Sequence, residues 1–314
     1  MAHAHHHPHP VPSRGASVSR RLVIASSANA AFVVVELAAG VYAGSLSLVG
    51  DALHNFTDVV ALLLALVAVR LERRPATSEK SYGYQRAGIL AAFANAGALV
   101  AMTLFLFYEG FQRLHASHDV NSTLMLITAA VAVAINGSAM LLLRADGKDD
   151  VNIRSAVLHM MADAAASVGI IIAALLIRMT GDTWWDAAVS MIIGVLILWS
   201  SWGILRETMN LLLEGTPSGI DPEEVSRALS GVEGVLGVHH LHIWAIGPSS
   251  PALSAHLMVG DVPLRNTTKL LDRINDLLAH DYRIVHTTIQ FEFASCAEDD
   301  PYCVPWPRGQ MLKP

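Results

Sequence analysis

At 314 residues, with 53% hydrophobic and only 15% charged residues and a mean hydropathy of +0.44, the chain is too apolar for an ordinary soluble protein. Its net charge of −6 comes without a basic stripe interleaved with aromatics, which argues against nucleic acid as a partner. The apolar residues fall in long blocks, so the chain reads as a membrane protein.

Residues 1–19 form a tail rich in His and Pro that lacks the apolar core of a signal peptide. Its His3, His5, His6, His7 and His9 make a tract that binds zinc or nickel with low specificity. A tag remnant is the rival explanation, and Pro8 within the run favours a native tract. Six candidate spans follow at residues 22–42, 46–69, 87–107, 124–143, 155–177 and 187–205, each near the roughly 20 residues that a bilayer core requires. They predict a polytopic α-helical membrane domain of six transmembrane helices over residues 20–210. Arg14, Arg20 and Arg21 precede the first span, Arg70, Arg73, Arg74, Lys80 and Arg86 join the second to the third, and Arg144, Lys148 and Arg154 join the fourth to the fifth. The opposite loops hold little more than Arg113 and Arg178. By the positive-inside rule both termini lie in the cytoplasm.

After the last span the character of the chain changes. Asp221-Pro222-Glu223-Glu224 starts a helix, with Pro in the first turn and acids placed to suit the helix dipole. Three strand-like runs follow, at 235–246, 252–259 and 283–293, the last two separated by an amphipathic helix over 268–278. Leu270, Leu271, Ile274, Leu277 and Leu278 give that helix its apolar stripe. The αββαβ order over residues 211–295 predicts a small cytoplasmic α+β domain with helices on one face of a sheet. Residues 296–314 form a tail with a Cys pair.

The chemistry lies inside the spans. Leu53-His54-Asn55-Phe56-Thr57-Asp58 and Leu158-His159-Met160-Met161-Ala162-Asp163 repeat one pattern, Leu-His-x-x-x-Asp. Four residues separate imidazole from carboxylate, about 6 Å along a helix and on one face, so each copy supplies half of a metal site. One copy alone is equally well read as a packing histidine hydrogen-bonded to an i,i+4 acid. Two copies on distinct, antiparallel spans favour metal: His54, Asp58, His159 and Asp163 then converge, and two nitrogens with two oxygens suit tetrahedral Zn²⁺, with Co²⁺ or Cd²⁺ also compatible. A divalent ion with two carboxylates and two neutral imidazoles is formally neutral, which limits the cost of burying it. Without the ion, two neighbouring buried carboxylates favour protonation, so metal binding is expected to release protons and metal loss to take them up. Asp51, Glu36 and Asn55 are candidates for lining the cavity or supporting this site.

At this point the sequence resembles a family. Ala43-Gly44-Ser45-Leu46-Ser47-Leu48-Val49-Gly50-Asp51-Ala52-Leu53-His54-Asn55-Phe56-Thr57-Asp58, the loop Tyr82-Gly83-Tyr84-Gln85-Arg86 and the later Leu241-His242-Ile243-Trp244 are similar to the cation diffusion facilitators, which include CzcD-type and animal zinc transporters. The resemblance covers nearly the whole chain. It implies a homodimer with six spans per subunit, a ferredoxin-like cytoplasmic domain, proton-coupled export of divalent metal, and a transport site at His54, Asp58, His159 and Asp163 associated with zinc preference. One departure is Gly88, where the family pattern commonly has an acid.

Secondary metal sites are expected in the soluble domain. His239, His256 and Glu292 are the residues that similarity to the family's cytoplasmic sites supports most directly. His286, Cys296 and Cys303 are further candidates, because thiol, imidazole and carboxylate together suit zinc and a reducing cytosol disfavours a structural disulfide. The rival reading makes several of these exposed strand residues without a ligand role. The expected function is export of Zn²⁺, with Co²⁺ or Cd²⁺ as alternatives, in exchange for protons by alternating access across a bacterial inner membrane; zinc is substrate and, in the soluble domain, a regulatory ligand. An intramembrane zinc enzyme is the alternative, but such a site keeps a ligand position open for water, whereas four protein ligands leave none. A membrane-anchored metal sensor without transport is the other alternative.

Overall fold

Long runs of Leu, Val, Ile and Ala, unbroken by Pro, fold as six helices in succession: α1 (Arg14–Ala43), α2 (Leu46–Glu72), α3 (Ala87–His115), α4 (Ser122–Arg144), α5 (Val151–Thr180) and α6 (Trp184–Leu212). The computed structural model describes residues 14–115, 118–144, 151–260 and 263–293. Five helices, α2 to α6, are long and apolar enough to cross a membrane, and α1 adds a shorter apolar stretch at Asn29–Ala43. Helices run past the predicted spans, α3 to His115 rather than residue 107 and α6 to Leu212 rather than residue 205. The apolar window ends at the bilayer edge, but backbone hydrogen bonding continues through polar residues beyond it. Val34, Val35, Leu62, Leu63, Ile127 and Trp199 point outward and exposed, as lipid-facing residues do and as those of a water-soluble bundle do not.

The described chain divides into two compact units. One holds the residues up to Val60 together with Gly97–Ser201, the other Ala61–Ala96 with the residues from Trp202 onward. In the first unit Ala43, Leu48, Leu99, Met125, Ala129, Ile170, Ala173, Ile193 and Ile197 pack into one core.

The turn between α1 and α2 shows why the chain reverses where it does. Gly44 takes φ +68°; its N–H bonds to the carbonyl of Val41 at 3.2 Å, and the Ser45 N–H reaches back to Gly40 at 3.0 Å, the paired bonds of a Schellman ending. A Cβ on Gly44 would stand 2.5 Å from the backbone oxygen of Asp119. Gly44→Ala is therefore expected to lower stability by about 2 kcal/mol or more, from left-handed strain plus the collision. A thermal unfolding midpoint in detergent equal to that of the native protein would contradict this.

Within the second unit, α7 (Pro222–Ser230) starts on Asp221, whose side chain accepts the Glu223 N–H at 2.9 Å. Strand β1 (Val235–Gly247) pairs antiparallel with β2 (Ser250–Val259), and β2 pairs parallel with β3 (His286–Glu292) in a mixed sheet of order β1-β2-β3. A parallel neighbour requires a crossover, and α8 (Leu264–Tyr282) supplies it. The order of elements is the αββαβ read from the sequence. Val225 and Leu229 of α7 with Leu270, Ile274 and Leu278 of α8 share a core with Leu241, Ile243, Leu253, Ala255, Leu257 and Val259. Both helices thus cover one face of the sheet, and strand alternation leaves His256 on the other.

Gly88 has a local explanation in the same unit. A Cβ there would lie 2.8 Å from Glu72 Oε1 and 3.1 Å from Pro248 Cγ, so a side chain at this position would have to displace the carboxylate end of Glu72.

Candidate metal centre

The N-terminus of α2 is fixed by a residue far away in sequence. Asp186, in the first turn of α6, accepts from the Leu46 N–H at 2.5 Å, the Ser47 N–H at 3.2 Å and the Ser45 hydroxyl at 2.7 Å, and also from the Ser47 hydroxyl. The Ser45 hydroxyl in turn accepts the Leu48 N–H at 3.2 Å. A buried carboxylate thereby satisfies the orphan donors of α2 and complements its dipole. Two turns further along α2 come His54 and Asp58.

Helices α2 and α5 bring the two His-x-x-x-Asp pairs together within the first unit. His54 Nε2 lies 3.8 Å from Asp58 Oδ2, His159 Nε2 lies 3.1 Å from the same Asp58 oxygen, and His159 Nε2 lies 3.6 Å from Asp163 Oδ2. The imidazoles meet edge to face with centroids 6.2 Å apart. These contacts link the four residues in a chain, His54–Asp58–His159–Asp163, each link near the roughly 3.3–3.4 Å that separates neighbouring donors around a tetrahedral ion with bonds of about 2.0–2.1 Å. Asp163 is buried while the His159 side chain is 47% exposed, so the cluster runs from a closed interior to an accessible edge. His54 Nδ1, Asp58 Oδ2 and Asp163 Oδ2 are buried without a hydrogen-bond partner, an arrangement that costs free energy unless a proton or cation is present.

Glu36, Asp51 and Asn55, expected to line or support this cavity, are all buried in the same unit. Ser167 joins Asp51 to the site: its hydroxyl lies 3.3 Å from Asp51 Oδ2 and 3.0 Å from the carbonyl oxygen of Asp163.

A second cluster occupies the open face of the sheet. His239 and His256 are cross-strand partners in register, and Glu292 reaches both, with Oε2 3.0 Å from His239 Nε2 and Oε1 2.9 Å from His256 Nδ1. His239 Nε2 is near the carboxylate but is not aimed to donate to it, and both its ring nitrogens lack a hydrogen-bond partner. His240 is a member that strand alternation hides, since adjacent strand residues point to opposite faces. Here β1 carries an irregularity between His239 and His242, and His240 takes φ +50°; the extra residue turns its ring back onto the same face. One donor atom from each of His239, His240 and His256 lies within 4.8 Å of the others. Adjacent histidines were the only signal in sequence, and they do not specify a bulge.

The predicted His286 stands apart. It begins β3, six residues along the strand from Glu292, and its ring meets that of Tyr82 edge to face at 5.5 Å. Cys296, Cys303 and the histidines His3, His5, His6, His7 and His9 lie outside the described residues.

Burial holds the His256 imidazole below its usual range; the Glu292 carboxylate opposes this, and neighbouring His240 and His239 add to it. A neutral ring keeps a lone pair for metal at neutral pH. Because protons compete for these nitrogens, zinc affinity of the cluster is expected to weaken as pH falls toward and below the His256 titration. Zinc titrations of the full chain across pH, with and without His239→Ala and His256→Ala, check this; a pH-independent affinity in the acid range would count against it.

Comparison with known proteins adds an independent line. Residues 22–213 match the cation efflux transmembrane domain, and residues 217–294 match the cation efflux protein cytoplasmic domain. Similar proteins include the metal cation efflux system protein CzcD of Cupriavidus metallidurans, 36% identical over 90% of this chain and 89% of that one. The zinc transporter ZitB of Escherichia coli is 38% identical over 96% and 95%. A cadmium, cobalt and zinc/H(+)-K(+) antiporter of Bacillus velezensis is 34% identical over 91% and 92%. Among solved structures, the metal-bound C-terminal domain of the CzcD transporter from Cupriavidus metallidurans is 32% identical, covering 23% of this chain and 99% of that one at a TM-score of 0.22. With the two domain matches spanning nearly all of a chain that carries five membrane-crossing helices, this multi-pass membrane protein belongs to the cation efflux family of transporters and is not an enzyme.

Proposed function

We propose that the protein exports Zn²⁺ from the cytoplasm in exchange for protons, with His54, Asp58, His159 and Asp163 as the cargo site. The observation that carries this reading is the meeting of two His-x-x-x-Asp pairs from α2 and α5, with His159 Nε2 3.1 Å from Asp58 of the other pair. Names of relatives that mention zinc, cadmium and cobalt support the substrate class. Two imidazoles favour borderline Zn²⁺, Co²⁺ or Cd²⁺ over Mg²⁺ and Ca²⁺, which prefer oxygen-only shells.

In this reading α1 is a sixth span, residues 20–210 form the membrane domain, and residues 211–295 form a ferredoxin-like domain in the cytoplasm. Both termini lie on the cytoplasmic side of a bacterial inner membrane, in keeping with the cation-rich loops after the second and fourth spans, and the working unit is a homodimer. The inward-facing site gives up protons as it takes metal, helices rock to expose it outward, and external protons displace the ion. Zinc at His239, His240, His256 and Glu292 biases that equilibrium through the soluble domains. Unchanged zinc-dependence of transport after His239→Ala and His256→Ala would sink the regulatory part.

The test of transport is zinc uptake into proteoliposomes under imposed proton gradients of both signs. The reading predicts uptake driven by an interior-acid gradient, slowed when the gradient is reversed and collapsed by a protonophore. Zinc binding without gradient-driven flux would instead indicate a sensor.

A further inference from the structure

Directly behind the four-residue site lies a group of polar atoms that the metal does not use. Glu36 of α1 is 0% exposed, Asp51 of α2 1% and Asn55 of α2 3%. The two carboxyl groups are within hydrogen-bonding reach of one another, and Asn55 is within reach of Glu36. Yet both Glu36 oxygens, Asp51 Oδ1 and the Asn55 carbonyl oxygen are buried acceptors without a donor. The remaining Asp51 oxygen is supplied by Ser167 at 3.3 Å. Four buried acceptors without a hydrogen bond are costly in a low-dielectric interior, and a proton on one carboxyl lets it donate to a neighbouring acceptor.

Other charges around the pair are few. Asp163 of α5 is the metal-site carboxylate whose field reaches both Glu36 and Asp51. Helix α4, packed on α1 and α5, carries no charged residue from Ser122 to Leu143. Asp186 of α6 is taken up by the start of α2, and Glu109 of α3 is paired with Arg113 at 3.0 Å. No described cation therefore neutralises the pair.

We propose that Glu36 and Asp51 form a dedicated proton-binding site, distinct from the metal ligands, which shares one proton between its two carboxyl groups when the metal site is empty and releases it when the divalent ion binds. The link is electrostatic: two positive charges on the metal beside Asp163 compensate the pair through a medium of low dielectric, so ion and proton compete without sharing a ligand. The proton passes from the carboxyl to water as the ion enters and returns as the ion leaves, with no other bond made or broken. This rests on the transport reading given above.

The experiment records zinc entry and proton exit together in proteoliposomes, with a zinc-sensitive and a pH-sensitive dye, for the native chain, Glu36→Gln and Asp51→Asn. Either isosteric variant is expected to lower the protons exchanged per transported zinc by about one, whatever its rate of zinc flux. In parallel, infrared difference spectra of the native protein are expected to show protonated-carboxyl intensity that zinc bleaches, from the metal ligands and from this pair, of which Glu36→Gln removes one component. An unchanged exchange ratio with flux intact, or a zinc-difference spectrum identical in the native protein and Glu36→Gln, overturns the proposal while leaving transport standing. Absence of zinc flux in the native protein refutes the transport reading itself. Zinc binding that depends on K⁺ or Na⁺ instead of pH would put a metal cation at the pair and also overturn it. If both variants fail to fold, a native spectrum lacking a zinc-sensitive protonated-carboxyl band is sufficient to reject it.

Discussion

Asp163→Ala is expected to abolish zinc transport and to lower zinc affinity at the proposed intramembrane site by about two to three and a half decades. Asp163 is the most buried of the four ligands, and its loss does more than remove one donor. With two carboxylates and two neutral imidazoles the loaded site is formally neutral; with one carboxylate it holds a net positive charge inside the membrane. Leaving a buried charge uncompensated costs about 3–5 kcal/mol, and each 1.4 kcal/mol is about a factor of ten in affinity. Asp163→Asn keeps the shape and one oxygen but not the charge, so it is expected to fall nearly as far. Equilibrium dialysis with radioactive zinc and initial uptake rates measure the two effects. A variant that retains uptake above empty-liposome background would show that cargo passes elsewhere.

The second large effect concerns stability. Asp186→Ala removes the acceptor of two backbone N–H groups and two serine hydroxyls at the start of α2, all in a buried setting. An unsatisfied buried donor costs about 1–3 kcal/mol, and some of these donors can turn elsewhere, so the expected loss is about 4 kcal/mol. That corresponds to a melting temperature lower by about 10 °C. Asp186→Asn keeps one carbonyl oxygen and is expected to lose roughly half as much. Zinc added at saturation should restore part of the loss in Asp186→Ala, since the same helix carries His54 and Asp58 and binding stabilises the folded form. A melting temperature within error of the native value would show that Ser45 and Ser47 find other acceptors at no cost.

What could be read in the sequence follows from the range of the interactions involved. The pairs His54 and Asp58, and His159 and Asp163, are legible because a four-residue spacing on a helix fixes a shared face, and repetition of the pattern in a second apolar block suggests a meeting. The αββαβ order was legible from a switch between alternating and helical periodicity, and Asp221 with Pro222 marks its first helix. Asp186 was not legible as the cap of α2. An acid in a first turn reads as serving its own helix, and its partners lie 139 to 141 residues away. His240 was visible only as one of several histidines on the strand-like runs; that it shares a face with His239 depends on the bulge at φ +50°, since adjacent strand residues ordinarily face apart. His286 was grouped with the cytoplasmic ligands on residue type. Six residues of strand put about 20 Å between it and Glu292, and the structure brings it to Tyr82 instead.

X-ray absorption at the zinc edge tests the central claim most directly, on full-length protein in which His239, His240, His256 and Glu292, together with His3, His5, His6, His7, His9, Cys296 and Cys303, are replaced by Ala so that zinc reports on the membrane site. The account predicts a four-coordinate shell of nitrogen and oxygen at about 2.0–2.1 Å, with multiple-scattering features of two imidazoles, and loss of that shell in Asp163→Ala. A shell containing sulfur, six oxygen ligands, or a spectrum unchanged by Asp163→Ala would contradict it.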